Sequence, residues 1–333
     1  MKIALLSGAH SHTAGYLKQI REDPALELVA VWDDMAARGQ QVAEDMGCVF
    51  VPVLDDVLGR GDLDATVVCA DNAGHRPLLE ASCRAGIDVF CEKPMALSVA
   101  DADSMLATVR DTDCLAVFGY MQPFTGAAMA ARKLLADGAL GTVTQLRFRN
   151  AHHAAYGHWF DSPERQWFTQ PEKSGGGAFL DMGTHAVHFV RTLFGPVTAV
   201  SAVIANKSGV YPDVDDFGIA LLEFESGATG VIEASWVFTA GPRGLEAVGS
   251  AGWLALEGGL ELTPFTDKAG EPAAVPDAEP EPARLSRLIA LKDGSLDRSA
   301  MEADLVCCRD AVAIMAAAYE AARTGTRQEI AKG

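Results

Sequence analysis

Over the first 120 residues, short apolar runs alternate with amphipathic stretches. Runs at Lys2–Leu6, Leu26–Trp32, Val49–Val51, Ala65–Ala70, Ile87–Cys91 and Leu115–Gly119 predict six strands, most of them apolar on both faces. Helical periodicity fills the intervals at Ala14–Arg21, Ala36–Met46, a short stretch before the Gly59–Gly61 turn, Pro77–Arg84, and a Ser98-capped helix through Arg110. This βα rhythm specifies an α/β fold built on a doubly wound parallel sheet. Such a sheet binds ligands at the carboxyl ends of its strands, where the strand order reverses. The first domain is therefore placed at residues 1–120.

After Tyr120 the rhythm changes. A helix at Ala127–Leu135 leads to a strand at Thr142–Asn150, then to a loop rich in His, Tyr and Trp. Strands follow at Val197–Asn206, Phe217–Phe224, Thr229–Phe238, Glu246–Val248 and Trp253–Glu257, with turns at Glu225–Gly227 and Gly249–Gly252. Thr263–Pro282, rich in Pro, Ala and acids, reads as an extended surface loop, and Ala300–Thr324 as a long helix. Residues 121–333 thus form an α+β domain with a largely antiparallel open sheet, suited to carrying a homo-oligomer, dimer or tetramer.

One helix of that domain carries unusual polar residues. It begins at the glycines Gly175, Gly176 and Gly177 and is stopped by Gly195-Pro196. Phe179, Met182, Ala186, Phe189, Val190 and Leu193 share an apolar face, while Asp181, His185, His188 and Thr192 form a stripe about 60° wide on another. Exposed helix faces usually carry Lys and Glu, so this stripe predicts groups aimed into a cleft. Gly183, mid-helix, predicts a close approach to the backbone.

The net charge of −18 over 333 residues argues against nucleic acid or an anionic membrane surface as partner. It leaves open a small substrate, including an anion held in a local positive pocket. Seven cysteines without metal-ligand spacing, several inside apolar runs, read as buried reduced thiols. No basic leader precedes the first strand and no apolar run reaches membrane-spanning length, so a cytoplasmic location is expected.

The first strand–turn–helix holds a degenerate dinucleotide fingerprint. Ser7, Ala9 and His12 stand where three glycines would fall, and Gly8 is the only glycine of the turn. Small residues there still allow a pyrophosphate to approach the helix N-terminus, and His10, Ser11 and His12 offer donors. Asp33, ending the second strand, can accept hydrogen bonds from both ribose hydroxyls and repels a 2′-phosphate, which favours NAD over NADP. A helix-capping role for Asp33 or Asp34 is the plain alternative. Glu92-Lys93-Pro94 at the end of the fifth strand places an ammonium near the nicotinamide position.

Together these residues resemble the glucose–fructose oxidoreductase/inositol dehydrogenase (Gfo/Idh/MocA) family over nearly the whole chain. ADNAGH (70–75) is similar to that family's T-P-N-x-x-H loop with Asp71 replacing proline. CEKPMALS carries its lysine motif, and GGGAFLDMGTH matches G-G-G-x-x-x-D-x-G-x-H residue for residue. The resemblance implies a Rossmann domain, NAD(P)-dependent oxidation of a secondary alcohol in a sugar, cyclitol or glycoside, and catalytic roles for Lys93, Asp181 and His185. His185 would be the base, Lys93 would steady the alkoxide, and Asp181 would orient substrate or base. It further implies cofactor contacts from Asp71, Asn72, His75, Glu92 and Lys93. His153, Tyr156, Trp167 and His188 are expected at the substrate, because aromatic and imidazole groups suit a sugar's CH faces and hydroxyls. No metal is expected. His188 and Met121 depart from the family pattern and point to an altered substrate choice. Two other readings stand beside this one. Asp181, His185 and His188, with His152 or His153, could ligate zinc or manganese in a sugar-modifying enzyme. Alternatively, the fold could serve a non-catalytic nucleotide sensor.

Overall fold

The computed structural model describes residues 1–257, 261–262, 265–267 and 270–330. Strands β1 (Lys2–Leu6), β2 (Glu27–Trp32), β3 (Val49–Phe50), β4 (Ala65–Val68), β5 (Asp88–Cys91) and β6 (Ala116–Phe118) pair in parallel in the order β3-β2-β1-β4-β5-β6. Helices α1 (Thr13–Glu22), α2 (Ala36–Met46), α3 (Leu54–Leu58), α4 (His75–Arg84) and α5 (Val99–Asp111) connect them. Ile3, Leu5, Val67, Val89 and Phe90 are fully buried, as expected for strands covered on both faces. The strand order reverses between β1 and β4, so the turn leaving β1 opens onto the crevice where this architecture takes its ligands.

The second sheet has ten strands, with its long members β7 (Val143–Ala151), β8 (Val197–Ala205), β9 (Phe217–Phe224), β10 (Thr229–Ser235), β11 (Gly244–Gly249) and β12 (Gly252–Glu257). Neighbours are antiparallel except β7 and β10, which run parallel. Between these two strands the chain passes through α7 (Pro171–Ser174) and α8 (Ala178–Phe194); α6 (Gly126–Ala136) precedes β7. Phe148, Leu222, Ile232 and Leu254 bury one sheet face against Phe179 and Phe189 of α8. The alternation along β9 turns Ile219 and Leu221 to the other face, which also exposes Val203 and Trp253.

The expected domain boundary at residue 120 is not clean. Leu285, Leu288 and Leu291 of α9 (Leu285–Lys292), with Met301, Leu305, Cys308 and Val312 of α10 (Arg298–Thr324), complete the core of the first sheet. The later residues Ile314, Met315 and Ala318 of α10 belong to the second core. Among the described residues β6 is the last strand of the first sheet, and α9 and α10 pack against it. Helix α9 was not predicted; its eight residues follow a Pro-rich stretch whose composition masks its start. In the stretch expected to be a loop, Phe265–Asp267 and Pro272–Ala273 pair at the edge of the second sheet, while positions 263, 264, 268 and 269 lie outside the described residues. Positions 331–333 of the expected second domain also lie outside them.

Candidate active site

Each glycine of the run is crowded by a different neighbour: the Leu97 side chain at Gly175, which also takes a positive φ, the Tyr319 ring at Gly176, and a crossing backbone at Gly177. A Cβ on Gly177 would collide with the backbone oxygen of Asp215. The Asp215 carboxylate accepts the N–H groups of Gly177 (2.8 Å) and Phe179 (2.7 Å), which have no partner within the helix. Tyr319 donates to Asp215 at 2.8 Å and accepts from the Leu180 N–H at 3.1 Å. The start of α8 is thereby fixed to the α10 that bridges both cores. At Gly183 the expected close approach is absent: a Cβ there would meet Met315 and Ala234 side chains at ordinary contact distance, 3.4 and 3.5 Å, so packing does not require a glycine.

One turn into α8, Asp181 Oδ1 accepts from Lys93 Nζ at 2.8 Å and Oδ2 from Trp236 Nε1 at 3.1 Å. Burial disfavours the Asp181 charge, but the Lys93 ammonium and its hydrogen bond reverse this and hold the carboxyl well below its usual range. His185 lies one turn further and meets the Tyr120 ring edge-on at 5.9 Å between centroids. Its imidazole makes no hydrogen bond with any described residue. Burial, reinforced by the Lys93 charge, pushes its pKa well below 6.5, so the imidazole is neutral at physiological pH. Lys93, Asp181 and His185 line one cavity of about 400 Å³ together with His12, Gln122, Asn150 and His152.

His188 does not join them. It is fully buried, with Nε2 3.2 Å from Asp304 Oδ1 and 3.6 Å from Cys308 Sγ, and its ring stacks on Tyr120 at 3.9 Å. The helical wheel aligns residues 181, 185 and 188 in angle, but seven residues advance the chain roughly 10 Å along the axis, past the cleft. The stripe therefore serves two environments, and Asp181, His185 and His188 form no common ligand set. The described groups that cluster at metal-ligand distances are His10, His12 and Glu92, and His188, Asp304 and Cys308.

The other expected substrate contacts are also redistributed. His152 lines the cavity, while His153 is exposed and absent from its wall, because successive residues leaving β7 point to opposite sides. Tyr156 is 53% exposed and outside the cleft. Trp167 is buried and donates from Nε1 to the Ala9 carbonyl at 3.0 Å, clasping the β1–α1 turn from the second domain. Trp236, Asn150, Gln122 and Asp215 carried no sequence signal, since each reads as an ordinary strand or loop residue until the fold brings it to α8 or the cleft.

At the cofactor end, Ser7 takes φ 65° and Gly8 donates its N–H to Asp33 Oδ2 at 2.8 Å. The Asp33 carboxylate is already engaged: Met35 N–H (2.7 Å) and Arg38 Nη2 (2.7 Å) reach Oδ1, and Arg38 Nε (2.9 Å) reaches Oδ2. Asp33 therefore anchors the turn and Arg38, and the exposed Asp34, also held by Arg38 at 2.7 Å, offers the freer carboxylate. Small residues at 7–9, the start of α1 and this acidic pair suit a dinucleotide. His10 is buried, and burial lowers its pKa to about 3, so it is no cationic phosphate donor; His12, partly exposed beside Ser11 in the cavity wall, is better placed. Glu92 accepts from Tyr16 Oη, from His12 Nδ1 (3.0 Å) and from the Lys93 N–H (3.0 Å). Burial disfavours its charge, and the His10 and His12 rings, the His12 hydrogen bond and the Lys93 ammonium outweigh that. Asp71 accepts the Gly74 N–H, Asn72 donates to Ser174 O (2.8 Å), and His75 Nδ1 meets Pro94 O (2.8 Å). These three brace the loops behind Lys93 and stand outside the cavity wall.

Residues 5–120 match a family described as an oxidoreductase family with an NAD-binding Rossmann fold, and residues 128–255 match the GFO/IDH/MocA C-terminal domain. The chain is similar to inositol 2-dehydrogenase of Rhizobium meliloti, 32% identical over 59% of this chain and 58% of that protein. It is also similar to 2,7-anhydro-N-acetylneuraminate hydratase of Mediterraneibacter gnavus, 29% identical over 64% of this chain and 56% of that protein. The matched stretch thus spans less than two thirds of these relatives' own lengths. Among solved structures, GenD2 from gentamicin A biosynthesis, in complex with NAD, is similar with a TM-score of 0.79 and 26% identity, over 100% of this chain and 97% of that one.

Proposed function

Because the chain belongs to the GFO/IDH/MocA oxidoreductase family, we propose that it transfers a hydride between a secondary alcohol of a sugar, cyclitol or glycoside and NAD. The observation that carries this reading is the meeting of Lys93, from the end of β5, with Asp181 and His185 of α8 in one cavity at the carboxyl edge of the first sheet. The Ser7–His12 turn, with Asp34 on its acidic side, would hold NAD, which when bound would supply the hydride acceptor. Neutral His185 takes the hydroxyl proton. Lys93 donates a hydrogen bond to the same oxygen and stabilises the alkoxide as it forms. Asp181 holds the ammonium in place through Oδ1 while Trp236 holds Oδ2, which makes it a positioning residue for Lys93. Asn150, Gln122 and His152 offer polar contacts for the remaining hydroxyls.

The acids around Arg38 support NAD over NADP. The exposed apolar face formed by Val203, Ile219, Leu221 and Trp253 supports a homo-oligomer joined through the second sheet. Seven free cysteines, five of them buried, support a reducing, cytoplasmic location; no described helix is long and apolar enough to cross a membrane.

A panel of sugars, cyclitols and glycosides with NAD, followed by NADH absorbance, tests the reading. NADH formation is expected with at least one polyol. Tight NAD binding with no turnover on any of them would favour a sensing role.

A further inference from the structure

We propose that the substrate carries an anionic group, a carboxylate or a phosphate, received by Arg284 and Arg165 in the same cavity. The inference rests on the dehydrogenase reading for the location of the reacting alcohol and adds the chemical class of its substituent. Arg165 and Arg284 both line the cavity that holds Lys93 and His185. Arg284 is half-buried, and its Nε donates to the Gly119 carbonyl at 3.3 Å, which leaves the terminal nitrogens of the guanidinium without a described acceptor. Neither arginine forms an ion pair with a described residue.

That is not for want of carboxylates. The chain has 45 acidic residues against 27 basic ones, and several other partly or fully buried arginines use them: Arg38 pairs with Asp33, Arg191 with Asp310, Arg287 with Glu281, and Arg309 with Asp103. The only carboxylate in the cavity wall is Asp181, and Lys93 and Trp236 occupy it. Lys93 is compensated by Asp181, and the ionised Glu92 lies behind it against His12, so the two guanidiniums of Arg165 and Arg284 are the charges of the wall that lack a carboxylate partner, in a space where reduced screening strengthens their pull on an anion. His185 and His152 add no positive charge of their own, since burial holds them neutral. A planar guanidinium with free terminal N–H groups receives a carboxylate or phosphate through paired hydrogen bonds. In the same cavity wall Gln122 Oε1 is buried without a described hydrogen-bond donor. Arg284 also holds φ 55°, a conformation that side-chain-bearing residues rarely adopt and that concentrates at functional sites.

The test compares neutral compounds with their charged counterparts: a hexose against its uronate and its 6-phosphate, with NAD present, read both as a shift in melting temperature and as NADH formation. The uronate and phosphate arms identify which anion is preferred. At least one charged member should bind about tenfold more tightly than its neutral parent, and Arg284→Gln should remove about that factor. Arg284→Lys should recover part of it, and Arg165→Gln should lose less because that side chain is more exposed. Affinity for NAD should stay within about threefold in each variant, which also reports that the variant is folded. Equal binding of neutral and charged members, or an Arg284→Gln effect confined to NAD, would overturn the inference. If neutral polyols are oxidised as efficiently as charged ones, the dehydrogenase reading stands and the anion site falls. If charged sugars raise the melting temperature in an Arg284-dependent way and none yields NADH, the site stands and the dehydrogenase reading falls.

Discussion

Lys93 Nζ and Asp181 Oδ1 lie 2.8 Å apart across the junction of the two domains. The lysine is 4% exposed in its side chain, so the ammonium is desolvated and Asp181 is the carboxylate that hydrogen-bonds it. Asp181→Asn should therefore leave a buried charge unpaired and cost about 3–5 kcal/mol, measured by denaturant unfolding. Turnover should fall by about 10²-fold through misplacement of the ammonium, while NAD affinity changes little. A stable variant with normal turnover would show that Asp181 does not position Lys93.

The second prediction concerns the cofactor's ribose end. Arg38 is drawn onto Asp33 and Asp34, and Asp33 also holds the Gly8 N–H. Asp33→Ser should weaken NAD more than NADP, by about tenfold or more, because it loosens the turn and frees Arg38 to meet a 2′-phosphate. Arg38→Ala should act in the opposite sense and widen the preference for NAD. Fluorescence titration of both cofactors against wild type and the two variants checks this. Tighter NADP than NAD in the wild type would contradict it.

His188 separates packing from chemistry. His188→Ala should cost about 3 kcal/mol by emptying a buried site against Tyr120 and unpairing Asp304. Turnover of the folded variant should stay within about threefold, and exhaustive chelation should leave wild-type turnover unchanged. A turnover loss matching that of a His185 variant, or a stoichiometric metal required for activity, would restore the ligand-set reading of α8.

How much of this was legible in the sequence depended on whether the signal was local. The six parallel strands were visible because each is a self-contained apolar run, and the helices between them carry their own period. The start of α8 was visible in its glycines, although Asp215, the reason for the last of them, lies 38 residues beyond Gly177. Angular position on α8 was readable and axial depth was not, since depth is measured against the cleft that β5 and β7 create. That is why Asp181 and His185 stand in the cavity and His188 beyond it. Arg284 and Trp236 gave no warning, because a loop arginine and a strand tryptophan are ordinary until the fold places them. The Asp33 carboxylate was recognised, but its neutralisation by Arg38 five residues later needed the turn between them.

Buried histidines set the acid response. His10, His75 and His185 all have pKa values lowered chiefly by burial, His10 to about 3. The unfolded chain takes up protons near pH 6.5 that the folded chain refuses, so stability is full above that value and falls as pH drops below it. The loss attributable to His10 continues toward pH 3, at up to about 1.4 kcal/mol per pH unit. Glu92 adds a further loss only below its ordinary range near 4.5, because its folded pKa is depressed. Unfolding free energy measured from pH 7.5 to 5 should decline, and His10→Gln should flatten the slope; a wild-type slope near zero would contradict the assignment of these rings as neutral.

The central claim is that Lys93 and His185 act on one alcohol oxygen, and a double-mutant cycle on single-turnover NADH formation tests it most directly. Lys93→Ala and His185→Ala should each slow hydride transfer by roughly 10²–10⁴-fold, with NAD affinity near normal in the His185 variant. The double variant should lose far less than the product of the two factors, because both groups serve the same proton transfer. Losses that multiply, or a His185 variant that transfers hydride at the wild-type rate, would contradict the account.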